Sequence, residues 1–184
     1  MEIISRTTAV ALLIILSPFL LIIGLGNLIL QGRPIIYRQK RVGKDFQEFM
    51  IYKFRTMKNE DTGIESFSSG QITTLTRWGR FLRKTKLDEL PQLANIIKGD
   101  MRFIGPRPEV PEYVSQDSFS FLSIIKPGLS GFSSILFRNE SEIWSMIESD
   151  DPYRDILKIK VGLANYYVNK KSFFQDYSRF FIHI

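Results

Sequence analysis

The residues best suited to chemistry lie between Arg83 and Pro108, in the stretch RKTKLDELPQLANIIKGDMRFIGPRP. Two adjacent carboxylates, Asp88 and Glu89, sit among cations: Arg80, Arg83, Lys84 and Lys86 precede them, Arg102 and Arg107 follow. Carboxylates in such surroundings suit an anionic substrate, with a divalent metal held at the acids. A plainer reading is also open. Leu87, Leu90, Leu93, Ala94 and Ile97 recur at helical spacing and predict a helix with one buried face. Asp88 is then its N-cap, Pro91 falls in the first turn and Gly99 supplies the stop. A carboxylate there is favoured by the helix dipole, and a phosphate can be held too. Downstream, Pro106-Arg107-Pro108 presents an arginine with little backbone freedom, which suits a phosphate clamp as well as it suits a rigid surface turn.

Composition narrows the chemistry. The chain of 184 residues has no cysteine, and its single histidine is His183. Disulfides and thiolate catalysis are excluded, and a histidine base or Cys/His metal cluster nearly so. What remains is carboxylate, hydroxyl, Lys or Arg chemistry, or an oxygen-bound metal such as Mg²⁺. The 25 Lys and Arg against 19 Asp and Glu leave a formal charge of +6. That balance suits polyanions, phosphorylated metabolites or an anionic lipid surface.

The elements that must position these residues begin with a membrane segment. Residues 7–32 carry no charge and are long enough for a helix to cross the hydrocarbon core. Ser17-Pro18 lies near the middle; proline removes one backbone donor, so a kink is expected, and the serine hydroxyl can satisfy part of the freed backbone. Arg6 and the basic run after Arg33 make both flanks positive, so a re-entrant hairpin stands beside a straight span. Residues 34–57 alternate apolar and polar around Val42-Gly43-Lys44-Asp45 and predict a β-hairpin. Lys53 and Arg55 share one of its faces, as a solvated surface near lipid headgroups or as support for the site. Residues 58–71 read as a loop. LTRWGRFL (75–82) predicts a short interfacial helix with Trp78, Phe81 and Leu82 dipping into lipid while Arg77 and Arg80 snorkel. KPGLSGFSSILFRN (126–139) places a strand-like apolar run after Pro-Gly and Ser-Gly punctuation, with Arg138 as a further anion contact. Ser149-Asp150-Asp151-Pro152 reads as a helix start. The helix that follows carries apolar positions Tyr153, Ile156, Leu157, Ala164, Tyr167 and Val168, and an aromatic face at 173–184 suits either a membrane surface or the core.

Assembled in this order, RVGK (41–44), YKFRTM (52–57), LDELPQL (87–93), KGDM (98–101), GPRP (105–108) and KPGLSG (126–131), with Ser17-Pro18 before them, make the chain resemble the bacterial sugar transferase family, the small monotopic polyprenyl-phosphate phosphoglycosyl transferases. Each motif alone is weak; their order over nearly the whole length is specific. The resemblance implies transfer of a phosphosugar from a nucleoside diphosphate sugar, usually a UDP-sugar, to a polyprenyl phosphate such as undecaprenyl phosphate, releasing UMP and initiating a surface glycan. It implies Asp88 as nucleophile forming a covalent phosphosugar intermediate, Glu89 as general base, Mg²⁺ at Asp88, and Arg83, Arg107 and Arg138 on phosphates.

The expected fold is α+β and predominantly helical: residues 1–32 form a membrane-inserted helix broken at Ser17-Pro18, and 33–184 form a catalytic domain on the cytoplasmic face of the bacterial inner membrane. Expected partners are the sugar nucleotide, the polyprenyl phosphate, membrane lipid, downstream glycosyltransferases and a homodimer, with no nucleic acid. No long membrane domain precedes the motifs, so the minimal form of the family is expected. Two departures bear on specificity. After Ser130-Gly131 many relatives carry Trp-Ala-Gln where this chain has Phe132-Ser133-Ser134. Many also have Asn-Gly where it has Leu136-Phe137. The competing functions are a non-catalytic lipid-binding module and a glycosyltransferase that releases UDP.

Overall fold

The computed structural model describes residues 2–57, 75–137 and 151–169. They belong to two compact units, Met1–Arg41 with Phe49–Met101, and Val42–Glu48 with Arg102–Ile184. Helices dominate, accompanied by two small two-stranded sheets.

The first unit is built on α1 (Glu2–Gln31), which is long and apolar enough to cross a membrane. It runs through Pro18 as one helix. Proline there leaves the Ile14 carbonyl without its N–H donor, and Ser17 Oγ donates to that oxygen at 2.8 Å. The helix is held near both ends. Towards its start, α3 (Leu93–Lys98) packs against it, Ala9 is fully buried, and the Arg6 guanidinium lies where a side chain on Gly99 would stand. Towards its end, Ile23 is buried with Phe54 and Leu82, and Leu20 packs against them. Between these anchors Val10, Ile14, Ile15, Phe19, Leu21 and Ile22 are exposed.

The second anchor is polar. Asn27 is fully buried and uses its whole amide. Its Nδ2 donates to the Ile35 and Arg55 carbonyls at 3.3 and 3.1 Å, while its Oδ1 accepts from Gln31 Nε2 at 2.8 Å and Trp78 Nε1 at 2.7 Å. Arg55 closes the helix end: its guanidinium donates to the carbonyls of Gln31, Gly32 and Arg33. The Gln31 and Gly32 carbonyls are acceptors that a helix C-terminus leaves without partners, the Arg33 carbonyl follows directly, and a cation suits that end. The reading of Arg55 as a solvated strand-face cation is therefore corrected; it is 2% exposed and bound to α1.

The predicted hairpin is present as β1 (Ile36–Val42) and β2 (Glu48–Phe54). The predicted short helix is α2 (Arg77–Lys84), capped by Thr76, whose side chain accepts from Gly79 N–H at 2.8 Å. Its interfacial reading needs correction. Leu82 is fully buried, and Trp78 packs on α1, where a Cβ on Gly26 would meet its ring at 3.0 Å. Only Phe81, stacked on Trp78 at 5.5 Å, keeps a large exposed apolar surface with Arg77 and Arg80 beside it. Burying a leucine of this kind is worth about 1.5–3 kcal/mol, and a helix this short needs such tertiary support. Gly79 allows the approach, because the Thr56 carbonyl occupies the space a Cβ would need.

In the second unit, β3 (Arg102–Ile104) and β4 (Gly128–Ser130) pair in parallel, with Arg102 opposite Gly128 and Ile104 opposite Ser130. The core gathers Val42, Phe119, Phe121, Leu122 and Ile125 with Leu157, Ala164 and Val168 of α5 (Pro152–Asn169). Asp151 Oδ1 accepts from Arg154 N–H at 3.1 Å, so the predicted helix start is real at Asp151-Pro152. The apolar run after Gly131 differs from expectation: Phe132–Leu136 is helix α4, packed against α5, and the strand is Gly128–Ser130 before it. Tertiary packing overrides the strand-like look of a five-residue segment. Residues 58–71 and 173–184 lie outside the described residues.

Candidate active site

Asp88 and Glu89 lie in a 3₁₀ segment, Leu87–Gln92, that runs directly into α3. The N-cap assignment for Asp88 is corrected. The position before the segment is Lys86, left-handed with φ 58°, and no side chain caps there. Asp88 instead sits inside the turn, buried, with Oδ1 lacking any hydrogen-bond partner. Pro91 holds the tight turn, and Gly99 ends α3 as predicted, with φ 88° and its N–H on the Asn95 and Ile96 carbonyls at 3.0 Å. Capping therefore does not explain the acidic pair.

The surroundings are cationic, as the sequence implied. Lys53 Nζ reaches Glu89 Oε1 at 3.0 Å, both side chains being largely buried. Lys53 thus belongs with the pair. Arg83, at the end of α2, donates from Nε to Thr56 Oγ1 at 2.9 Å. Burial raises the Asp88 carboxyl above the ordinary carboxylate range; Lys53 opposes this, Glu89 adds to it, and Arg83 and Lys86 oppose it. The net direction is upward, because desolvation outweighs the nearby cations. Asp88 is thus a carboxylate kept short of solvent, beside a lysine and an arginine, with unmatched lone pairs.

That donor set bears on Mg²⁺. Among the described residues no three acidic, histidine or cysteine side chains cluster. Mg²⁺ does not require such a cage, since it is held by one or two carboxylates together with substrate phosphates and water. The orphaned Asp88 oxygen fits that role.

Several supporting residues escaped the sequence reading. Asn95 is fully buried and ties β2 to α3, taking the Tyr52 N–H at 3.2 Å and donating to the Met50 carbonyl at 2.7 Å. Tyr37 on β1 is half-buried; burial raises its phenol, with Arg41 and Arg83 opposing. Thr56 fixes Arg83. The only signal for Thr56 was its place in YKFRTM; nothing in the sequence marked Tyr37, and Asn95 interrupts an apolar helical face.

Arg107 belongs to the second unit and is half-buried between the buried Pro106 and Pro108. Its segment is joined to KPGLSG: Gly105 N–H donates to the Ser130 carbonyl at 2.9 Å and Gly128 N–H to the Pro106 carbonyl at 2.8 Å. Two motifs separated in sequence are one piece of structure. Arg138 lies outside the described residues.

A family model described as bacterial sugar transferase matches residues 1–183. An Aeromonas hydrophila UDP-N-acetylgalactosamine-undecaprenyl-phosphate N-acetylgalactosaminephosphotransferase is 32% identical over 96% of this chain and 40% of its own length. The Escherichia coli UDP-glucose:undecaprenyl-phosphate glucose-1-phosphate transferase is 33% identical over 76% of this chain and 32% of its own. The exopolysaccharide production protein ExoY of Sinorhizobium fredii is 37% identical over 79% of this chain and 72% of its own. The chain thus spans well under half the length of the first two.

Proposed function

The chain belongs to the bacterial sugar transferase family, and from that premise we propose that it transfers a sugar phosphate from a nucleoside diphosphate sugar, a UDP-sugar in our reading, to undecaprenyl phosphate. Relatives named as undecaprenyl-phosphate sugar phosphotransferases support the reaction class. The observation that carries the reading is the buried Asp88, unneeded as a cap and unmatched at Oδ1, beside the Lys53–Glu89 pair and Arg83.

In the first step an Asp88 carboxylate oxygen attacks the β-phosphorus of the donor; the new O–P bond replaces the bond to the nucleotide, which leaves as UMP. In the second, an oxygen of the lipid phosphate attacks the same phosphorus and Asp88 departs, giving the polyprenyl diphosphate sugar. A covalent intermediate divides one difficult displacement into two. Glu89, oriented by Lys53, takes the proton from an acceptor phosphate that arrives as the monoanion, whose pKa lies near 6. Arg83, steadied by Thr56, holds phosphoryl oxygens, and Arg107 and Arg138 are assigned the same task. Mg²⁺, held by Asp88 together with substrate oxygens, would neutralise charge on the transferring phosphoryl group.

The membrane arrangement we propose is re-entrant, with the catalytic residues on the cytoplasmic face of the inner membrane. A straight 30-residue helix is about 45 Å long. A perpendicular span would carry Arg6 across the bilayer, away from α3. Instead Arg6 lies against Gly99 while Asn27 is locked to Arg55, and the exposed apolar stretch lies between, around Ser17-Pro18. Both ends on one face agree with two positive flanks. Downstream glycosyltransferases and a homodimer remain expected partners.

The test is nucleotide release from the protein in nanodiscs, with undecaprenyl phosphate, Mg²⁺ and a panel of UDP-sugars. Acceptor-dependent UMP release, lost in Asp88→Asn with unfolding temperature retained, is the expected result. UDP release, or full activity in Asp88→Asn, would overturn it.

A further inference from the structure

Away from the acidic pair, the first unit gathers a second set of side chains that the transfer does not use. Tyr52 on β2 is half-buried between two exposed cations. The Arg38 guanidinium on β1 lies 5.8 Å from the ring centroid. Lys98, the last residue of α3, has its Nζ 4.6 Å from the centroid and donates to the phenol oxygen at 2.6 Å. Because Lys98 donates, the Tyr52 O–H proton is directed outward to an acceptor. The arrangement is fixed from beneath by Asn95, which takes the Tyr52 N–H and anchors β2 to α3. The next residue after Lys98 is Gly99, against which the Arg6 guanidinium lies. Arg6, also 4.0 Å from Glu2, is the last charge before the uncharged run 7–32.

We propose that Arg6, Arg38 and Lys98, with the Tyr52 hydroxyl, form a binding site for the phosphate of an anionic phospholipid headgroup. Arg38 and Lys98 flank the Tyr52 ring and Arg6 lies against the residue that follows Lys98, so cations from α1, β1 and α3 share one neighbourhood, and tyrosine is a residue that favours headgroup depth. The placement decides for lipid: the cluster stands where an exposed apolar helix begins, the level at which phosphodiesters lie once that helix is in a bilayer. The inference rests on α1 being membrane-embedded, and on no residue assigned to the transfer.

The experiment uses the full chain purified in detergent and titrated with phosphatidylglycerol or phosphatidylcholine, bound lipid being read by native mass spectrometry. Wild type should prefer phosphatidylglycerol. Arg38→Ala/Lys98→Ala should weaken that lipid by roughly 25-fold, about fivefold per juxtamembrane cation, and leave phosphatidylcholine unchanged. Arg38→Lys/Lys98→Arg should restore the preference, which a merely structural role for the positions would not require. Asp88→Asn should keep the preference in full, separating this site from the reaction. A wild type indifferent between the lipids, or an alanine variant that retains the preference, overturns the site. So does displacement of bound phosphatidylglycerol by equimolar undecaprenyl phosphate, which would make it an acceptor site. A chain that stays soluble without detergent overturns the membrane reading itself.

Discussion

Replacing Lys53 by methionine is the sharpest probe of the acidic pair. The substitution keeps the stem of the side chain and removes an ammonium 3.0 Å from Glu89 Oε1. The side chains are 17% and 10% exposed, so solvent replaces little of the lost interaction. At an effective dielectric near 20 the direct attraction is about 5 kcal/mol, and breaking buried pairs costs about 3–5 kcal/mol after desolvation. Taking the lower end, about 3 kcal/mol, the unfolding temperature should fall by roughly 6–12 °C for a chain of this size. The pH dependence adds a second signature. Lys53 is the strongest influence holding the Asp88 carboxyl down, against burial. Without it Asp88 rises further. A raised carboxyl binds its proton more tightly folded than unfolded, so its stabilising contribution is present at low pH and lost as pH rises through the folded value. The stability deficit of Lys53→Met should therefore be largest near neutrality and shrink on acidification. In the rate profile of UMP release, the acid limb should move to higher pH, because the proposed reaction needs Asp88 as the ionised carboxylate. Thermal unfolding in detergent between pH 4 and 8, with pH–rate profiles, measures both. The double variant Lys53→Met/Glu89→Gln should regain part of the lost stability, since it leaves no uncompensated buried charge at position 89. An unchanged unfolding temperature together with an unmoved acid limb would refute the reasoning.

Three further outcomes follow from the same geometry. Asn27→Leu removes the hydrogen bonds to Ile35, Arg55, Gln31 and Trp78 and orphans the indole N–H; it should cost about 4 kcal/mol, at about 1 kcal/mol per bond, measured by thermal unfolding in detergent. Gly79→Ala places a methyl on the Thr56 carbonyl and should cost about 1–3 kcal/mol while lowering transferase activity, because α2 carries Arg83. Thr56→Val keeps the shape but removes the acceptor for Arg83 Nε; the expected effect is an increase of about tenfold, roughly 1.4 kcal/mol, in KM for the sugar nucleotide, with the unfolding temperature little changed.

What could be read in advance followed from local rules. The apolar segment, the hairpin, the Gly99 stop, the Asp151-Pro152 start and the buried face of α5 each depend on spacing or on residues with strong backbone preferences. The serine that accompanies Pro18 was also legible, because a hydroxyl one residue before a proline can reach the carbonyl that the proline abandons. The family followed from motif order, and the match over residues 1–183 agrees.

Other features were not local. Asp88 looked like a cap because its type and position permit one; whether the turn ahead of it opens into a capping geometry depends on Lys86 and Pro91 in a 3₁₀ segment packed against the hairpin. Arg55 looked like a surface cation because strand alternation reports which face a residue takes, while the end of a distant helix decides what fills that face. Spacing alone points Leu82 to lipid and Phe132–Leu136 to a strand for the same reason, since short amphipathic segments adopt whatever partner the core supplies. The sequence alone thus determined which chemistry was available: carboxylates, cations, no thiol, and an apolar segment long enough to cross a membrane with a serine-proline step. Only the tertiary structure decided which carboxylate is left desolvated and unmatched, and which arginine is consumed in holding α1. Burial and hydrogen-bond satisfaction belong to residues that are neighbours in space, and spacing along the chain does not encode those neighbours.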